Sequence, residues 1–113
     1  MWLFAKEGFL SIIQPPGEKD DKFLLVRGRA KGDIEHYFPE AKVGFTPHRD
    51  YRWRALIPRI RVRDVVAKMI FNIDYDNYKD SISDRRRRDW YSKVWSDMMD
   101  MQDVFAEDED DNG

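Results

Sequence analysis

His48, Arg49 and Asp50 stand together in "TPHRDY", the chain's nearest approach to acid–base chemistry. A histidine beside a carboxylate can move protons. An Asp in a loop can also bond its own backbone and close a turn, which is the stronger reading; the trio is kept as a candidate loop site. The letters HRD also occur in the kinase catalytic loop, but no Gly-rich phosphate loop and no lobe of that size accompany them. The other histidine, His36, has no partner at H-x-x-x-H spacing and reads as a surface residue. Asp74, Asp76, Asn77 and Asp80 resemble a calcium loop in spacing. That loop needs Gly at position 79 and Glu at position 85, where the chain has Lys79 and Arg85. Helix capping explains them better. No metal site and no cofactor is expected. No nucleophile elbow, Walker loop or dinucleotide fingerprint is present, so nothing nominates an enzyme.

Arginine is the residue type that stands above background. "RDYRWRALIPRIRVRD" holds six arginines in sixteen residues, and "RRRR" fills positions 85–88. Guanidinium groups pair with phosphates and carboxylates, so Arg52, Arg54, Arg59, Arg63, Arg85, Arg86, Arg87 and Arg88 form the candidate surface for an anionic partner. Arg27 and Arg29 can extend it. The plainer reading is a solvated polar face: Arg52 and Arg54 alternate with Tyr51, Trp53, Ala55 and Ile57 along a strand, and Arg59, Arg61 and Arg63 open a helix. By that parity Tyr51 and Trp53 face the core, which counts against a base-stacking platform.

The elements that must position these side chains follow from composition and period. The 113 residues suit one domain. Charged residues reach 37% against an average near ~25%, which predicts a globular, soluble chain. Cysteine is absent, which excludes disulfides and thiol chemistry. The opening residues show no basic leader before an apolar run, and no run approaches the ~20 residues of a membrane span. The expected compartment is the cytoplasm, with no membrane contact. All 20 Lys and Arg lie in residues 1–102 with 16 of the 22 acids, and the other six acids follow from position 103.

Short apolar runs around Lys6-Glu7-Gly8 predict a hairpin of strands 2–6 and 9–14, with Gly8 supplying a positive φ. "PPGEKDD" breaks structure. Further strands are predicted over 22–30, 42–46 and 51–58, and a short helix over 32–38 that Pro39 ends. Val62, Val65, Val66, Met69, Ile70 and Ile73 fall on one helical stripe and predict a helix over 60–73. A short helix is expected over 76–82, then a last helix capped by Ser83 or Asp84. The expected fold class is α+β: a single two-layer domain over 1–105, a mostly antiparallel sheet of about five strands with two to three helices packed on one face. Residues 106–113 are expected to be a disordered acidic tail. The expected core includes Trp2, Phe4, Leu24, Val26, Trp53, Ala55, Ile57, Val62, Val66, Met69, Tyr91, Trp95 and Met98.

"MWLFAKEGFLSIIQ", "LLVRGRAKGDIEHYFP", "DYRWRALIPR", "IDYDNYKDSI" and "WYSKVWSDMMDMQ" together resemble a family of small bacterial and phage proteins with an N-terminal tryptophan hairpin and a C-terminal aromatic helix. The resemblance covers nearly all of residues 1–102 and implies a compact domain in a bacterial or phage setting. It brings no activity and no catalytic residue. The expected function is therefore a non-enzymatic cytoplasmic interaction module that binds a protein partner through an aromatic and basic surface. The alternatives are a nucleic-acid-associated protein using Arg52, Arg54 and Arg85–Arg88, or an inhibitor of a nucleic-acid enzyme whose acidic tail mimics DNA.

Overall fold

Trp2–Ala5 (β1) and Gly8–Ile13 (β2) make an antiparallel hairpin closed by Lys6 and Glu7. The computed structural model describes residues 1–17 and 21–111; of the break expected in "PPGEKDD", residues 18–20 lie outside it. Phe23–Gly28 (β3) pairs with β2, Trp53–Pro58 (β5) pairs with β3, and Gly44–Phe45 (β4) pairs with β5. Every pairing is antiparallel, and the sheet order is β1-β2-β3-β5-β4. The helices are Asp33–Tyr37 (α1), Arg59–Phe71 (α2) and Arg85–Asp111 (α3), with a single 3-10 turn at Lys79–Ser81. The α+β class follows. The chain divides into two compact units, Met1–Asp74 and Tyr75–Gly113.

In the first unit α1 and α2 cover one face of the sheet. Leu10, Ile12, Val26, Ala55 and Ile57 meet Ile34, Phe38 and Val62 in one buried cluster, with Trp53, Leu24 and Val66 packed against it. Register decides who is inside. Leu3, Leu10, Gly28 and Trp53 line one row of the covered face, and Ile12, Val26 and Ala55 line the next. Side chains one position away point to the opposite face.

Gly8 does not turn the hairpin. It is a strand residue, and the positive-φ glycines among the described residues are Gly17 and Gly32. Its missing side chain makes room for α1: a Cβ there would lie 3.1 Å from both Cβ and the carbonyl oxygen of Asp33. Buried Asp33 uses that approach to accept the Phe9 N–H at 3.0 Å. The Tyr37 hydroxyl accepts the Glu7 N–H at 2.8 Å, so α1 is bonded to the hairpin twice.

Three expected core residues are on the surface. Trp2, Trp95 and Met98 are all exposed. Trp2, and with it the expected core residue Phe4, has the parity of the sheet face away from α1 and α2, opposite to Leu3. The second unit holds the short turn against α3 through Tyr78 and Tyr91, whose rings stack at 6.4 Å, and through Lys79, whose ammonium lies 4.2 Å from the Trp95 ring. Helix α3 does not stop at Phe105 but continues through Asp111, so 106–111 are helical rather than a disordered tail. Extending a formed helix avoids the cost of nucleation. Residues 112 and 113 lie outside the described residues.

Candidate anion-binding surface

The face of the sheet away from α1 and α2 carries Trp2, Ser11, Arg27 and Arg54 in one row across β1, β2, β3 and β5. Phe4 and Phe9 pair beside that row, and Ile13, Leu25 and Leu56 form the row on its other side. Trp2 is 62% exposed and Leu56 57%. The Phe9 ring lies tilted against Phe4 at 4.8 Å and meets Trp2 edge-on at 5.9 Å, so three aromatic rings form one connected patch.

Arg27 and Arg54 are direct partners across β3 and β5. Like charges placed opposite each other destabilise a sheet. The surroundings only partly offset this. Arg27 donates to Ser11 Oγ at 2.7 Å, while its buried Nε has no hydrogen-bond partner among the described residues. Arg54 donates to the Tyr51 carbonyl at 3.2 Å and to Asp50 Oδ1 at 3.4 Å. Burial first, then the nearby Arg49 and Arg27 charges, lower the Arg54 pKa, and Asp50 opposes them. Arg29 joins from the end of β3 and donates to the Asp50 carbonyl at 3.0 Å.

Tyr51 sits under this cluster. Its ring is buried, and the guanidinium carbons of Arg27 and Arg29 lie 4.3 and 4.1 Å from its centroid. Parity along the strand assigned Tyr51 to the core face with Trp53, but β5 begins only at Trp53. Tyr51 belongs to the preceding loop and turns toward the arginines. Trp53 does pack against the core, as its parity predicts.

The loop trio is a turn. Asp50 Oδ1 accepts the Tyr51 N–H at 2.9 Å, and the Thr46 hydroxyl donates to the Tyr51 and Arg52 carbonyls. His48 and Arg49 are exposed on it. Arg52 is exposed beside the loop. Arg59 is a staple: it donates to Gln14 Oε1 and the Asp21 carbonyl. Arg63 pairs with adjacent Asp64 at 3.0 Å. Arg61 forks onto Glu40, and that hydrogen bond is the main cause of the lowered Glu40 pKa. Of the arginines expected from the sequence, only Arg54 and Arg49 therefore join Arg27 and Arg29 in one cluster.

Arg85 to Arg88 open α3 in the second unit. Asp84 caps the helix by accepting the Arg87 N–H at 3.1 Å. That bond, and then the Arg86 charge, hold the Asp84 carboxyl below its ordinary value. A carboxyl lowered in the folded state adds stability above its unfolded value, near ~3.9, and loses it as pH falls through the folded value. Asp84→Asn keeps a capping oxygen that does not titrate. Helicity followed by circular dichroism between about pH 5 and 2 is expected to show an acid loss in wild type that is smaller in Asp84→Asn. Equal losses would assign it to other carboxyls.

An open cleft of about 370 Å³ lies between α1 and α2, lined by His36, Arg61, Asp64 and Lys68 among others. Among the described residues no three His, Asp or Glu are grouped to hold a metal ion, and no helix is long and apolar enough to cross a membrane. Compared with known proteins, the chain matches no family model, no curated protein and no solved structure.

Proposed function

We propose that this protein is a non-enzymatic binding module whose sheet face away from α1 and α2 takes a single-stranded nucleic acid. The observation that carries this reading is the row Trp2–Ser11–Arg27–Arg54, with like-charged Arg27 and Arg54 in direct register. Neighbouring strands lie about 4.8 Å apart, so Trp2 stands roughly 10 Å from Arg27. A base on the aromatic patch leaves its backbone within reach of the arginines. Arg27, Arg29, Arg49 and Arg54 supply four positive charges, and Asp50 one negative charge, so a phosphate relieves their mutual repulsion. Base–aromatic stacking does not depend on sequence, so little sequence preference is expected.

The test is fluorescence anisotropy with a labelled oligothymidylate across a salt series. Four phosphate contacts on a single strand give a log–log slope of about −3. Arg27→Gln with Arg54→Gln is expected to halve that slope. Trp2→Ala, at an exposed position, is expected to weaken binding roughly 5- to 100-fold, with its melt unchanged. Binding that ignores both changes would place the nucleic acid elsewhere.

A second reading is supported by exposed Phe23 and Leu56 on the same face. An acidic protein segment with apolar side chains fits arginines flanked by such residues. No oligonucleotide binding even at low salt would leave this protein-partner reading in first place.

A further inference from the structure

Helix α3 carries its charges the wrong way round. A helix has a positive N-terminal end and a negative C-terminal end. Here Arg85 to Arg88 occupy the first turn and no acid does, while the last turn holds acids and no base. Asp103, Glu107 and Asp108 are all exposed toward that end. Each end therefore opposes its own dipole, and the Asp84 cap offsets this at the first.

The same helix carries an apolar seam. Tyr91, Val94, Met98, Met101 and Phe105 follow alternating steps of three and four, the repeat of helices that pack lengthwise. Trp95 flanks it. From Trp95 onward the seam is open: Trp95 is 53% exposed, Met98 48% and Phe105 57%. The helix has 27 residues, about 40 Å at 1.5 Å per residue. Met98 is its midpoint, with thirteen residues on either side.

We propose that α3 pairs with α3 of a second copy of this chain, antiparallel, about a two-fold axis near Met98. One arrangement answers both anomalies. It covers the seam with an identical seam, as an isologous contact requires. It also lays each arginine end beside the other copy's acidic end, which reverses the unfavourable charge at all four helix ends. A parallel pair would cover the same seam but bring two arginine quartets together. Charge complementarity along the helix thus selects both the partner and its direction. The inference does not rest on the proposed nucleic-acid face, which lies on the first unit.

Sedimentation equilibrium of the whole chain tests it. The expected mass is twice the 13.6 kDa of the chain at micromolar concentration, with weaker association as salt screens the ends. Met98→Glu puts two carboxylates at the axis and is expected to give the monomer mass, with helicity checked by circular dichroism. Direction is read by crosslinking, since the chain has no cysteine of its own. Tyr91→Cys mixed with Phe105→Cys is expected to form a disulfide-linked dimer, while neither variant alone does so. A monomer at every concentration overturns the proposal. So does a dimer unaffected by Met98→Glu, or one that Phe105→Cys alone locks. Monomeric chain that associates only with an unrelated helical peptide would also overturn it, and would hand the seam to a different protein.

Discussion

Phe38→Ala is expected to lower the stability of the first unit by roughly 3–5 kcal/mol, the range for deleting a large buried aromatic. Phe38 is the largest fully buried side chain among the described residues. It lies at the end of α1, where it joins the cluster that spans the sheet and both covering helices. Its loss leaves a cavity between elements that Pro39 and the hairpin hydrogen bonds hold in place, so little collapse can compensate. Urea melts read by tryptophan fluorescence measure the change. A cost below about 1 kcal/mol, the level of a conservative core change, would show that α1 does not anchor the core.

Gly8→Val should come next in size. The first added carbon meets Asp33 at 3.1 Å, and its contacts are backbone as well as side chain. Overpacking of this kind costs roughly 1–3 kcal/mol. Moving Asp33 aside also strips the Phe9 N–H of its acceptor, at a further cost of about 1–3 kcal/mol. The two losses share one contact. In a double-mutant cycle with Asp33→Ala the overpacking cost should persist, because alanine keeps the Cβ and carbonyl oxygen that crowd position 8, and only the cost of the lost Phe9 hydrogen bond should be shared, about 1–3 kcal/mol of non-additivity. Simple additivity would mean that Gly8→Val leaves the Asp33–Phe9 hydrogen bond in place.

Much of the fold was legible because period is a local property. The alternation of Trp53, Arg54, Ala55, Leu56 and Ile57 places β5 and its two faces correctly, and the strip from Val62 to Met69 places α2. Which face of β1 is covered was not legible. Both faces of β1 are apolar, so Trp2 and Leu3 are equal candidates for the core until α1 and α2 take one side. Helix α3 misled for the opposite reason: a seam spaced for packing looks like core whether its partner is in the same chain or another. The arginine cluster was half visible. Arg54 belongs to an obvious strand, but Arg27 meets it only through the β3–β5 register, across more than twenty residues of sequence. Tyr51 was misplaced because strand alternation was extended two residues past the start of the strand.

Strand β4 has two residues and covers only the Trp53–Arg54 end of β5. Among the described residues no strand pairs with the rest of β5 on that side, where a strand from another molecule could add itself. The hydrogen-bond pattern shows how that margin is defended. Thr46 donates to the Arg52 carbonyl on the β4 side, whereas Arg59 donates to Lys22 on the β3 side. Alternate residues therefore point outward, and Pro58 falls among them, so the outer margin lacks a donor where a templated strand would require one. With Leu56 left to offer a full backbone pair there, the margin is too short to template a further strand. Exposed apolar side chains such as Trp2 and Leu56 are a hazard for aggregation in a concentrated solution, and the proline at the end of β5 keeps that hazard from spreading along this edge.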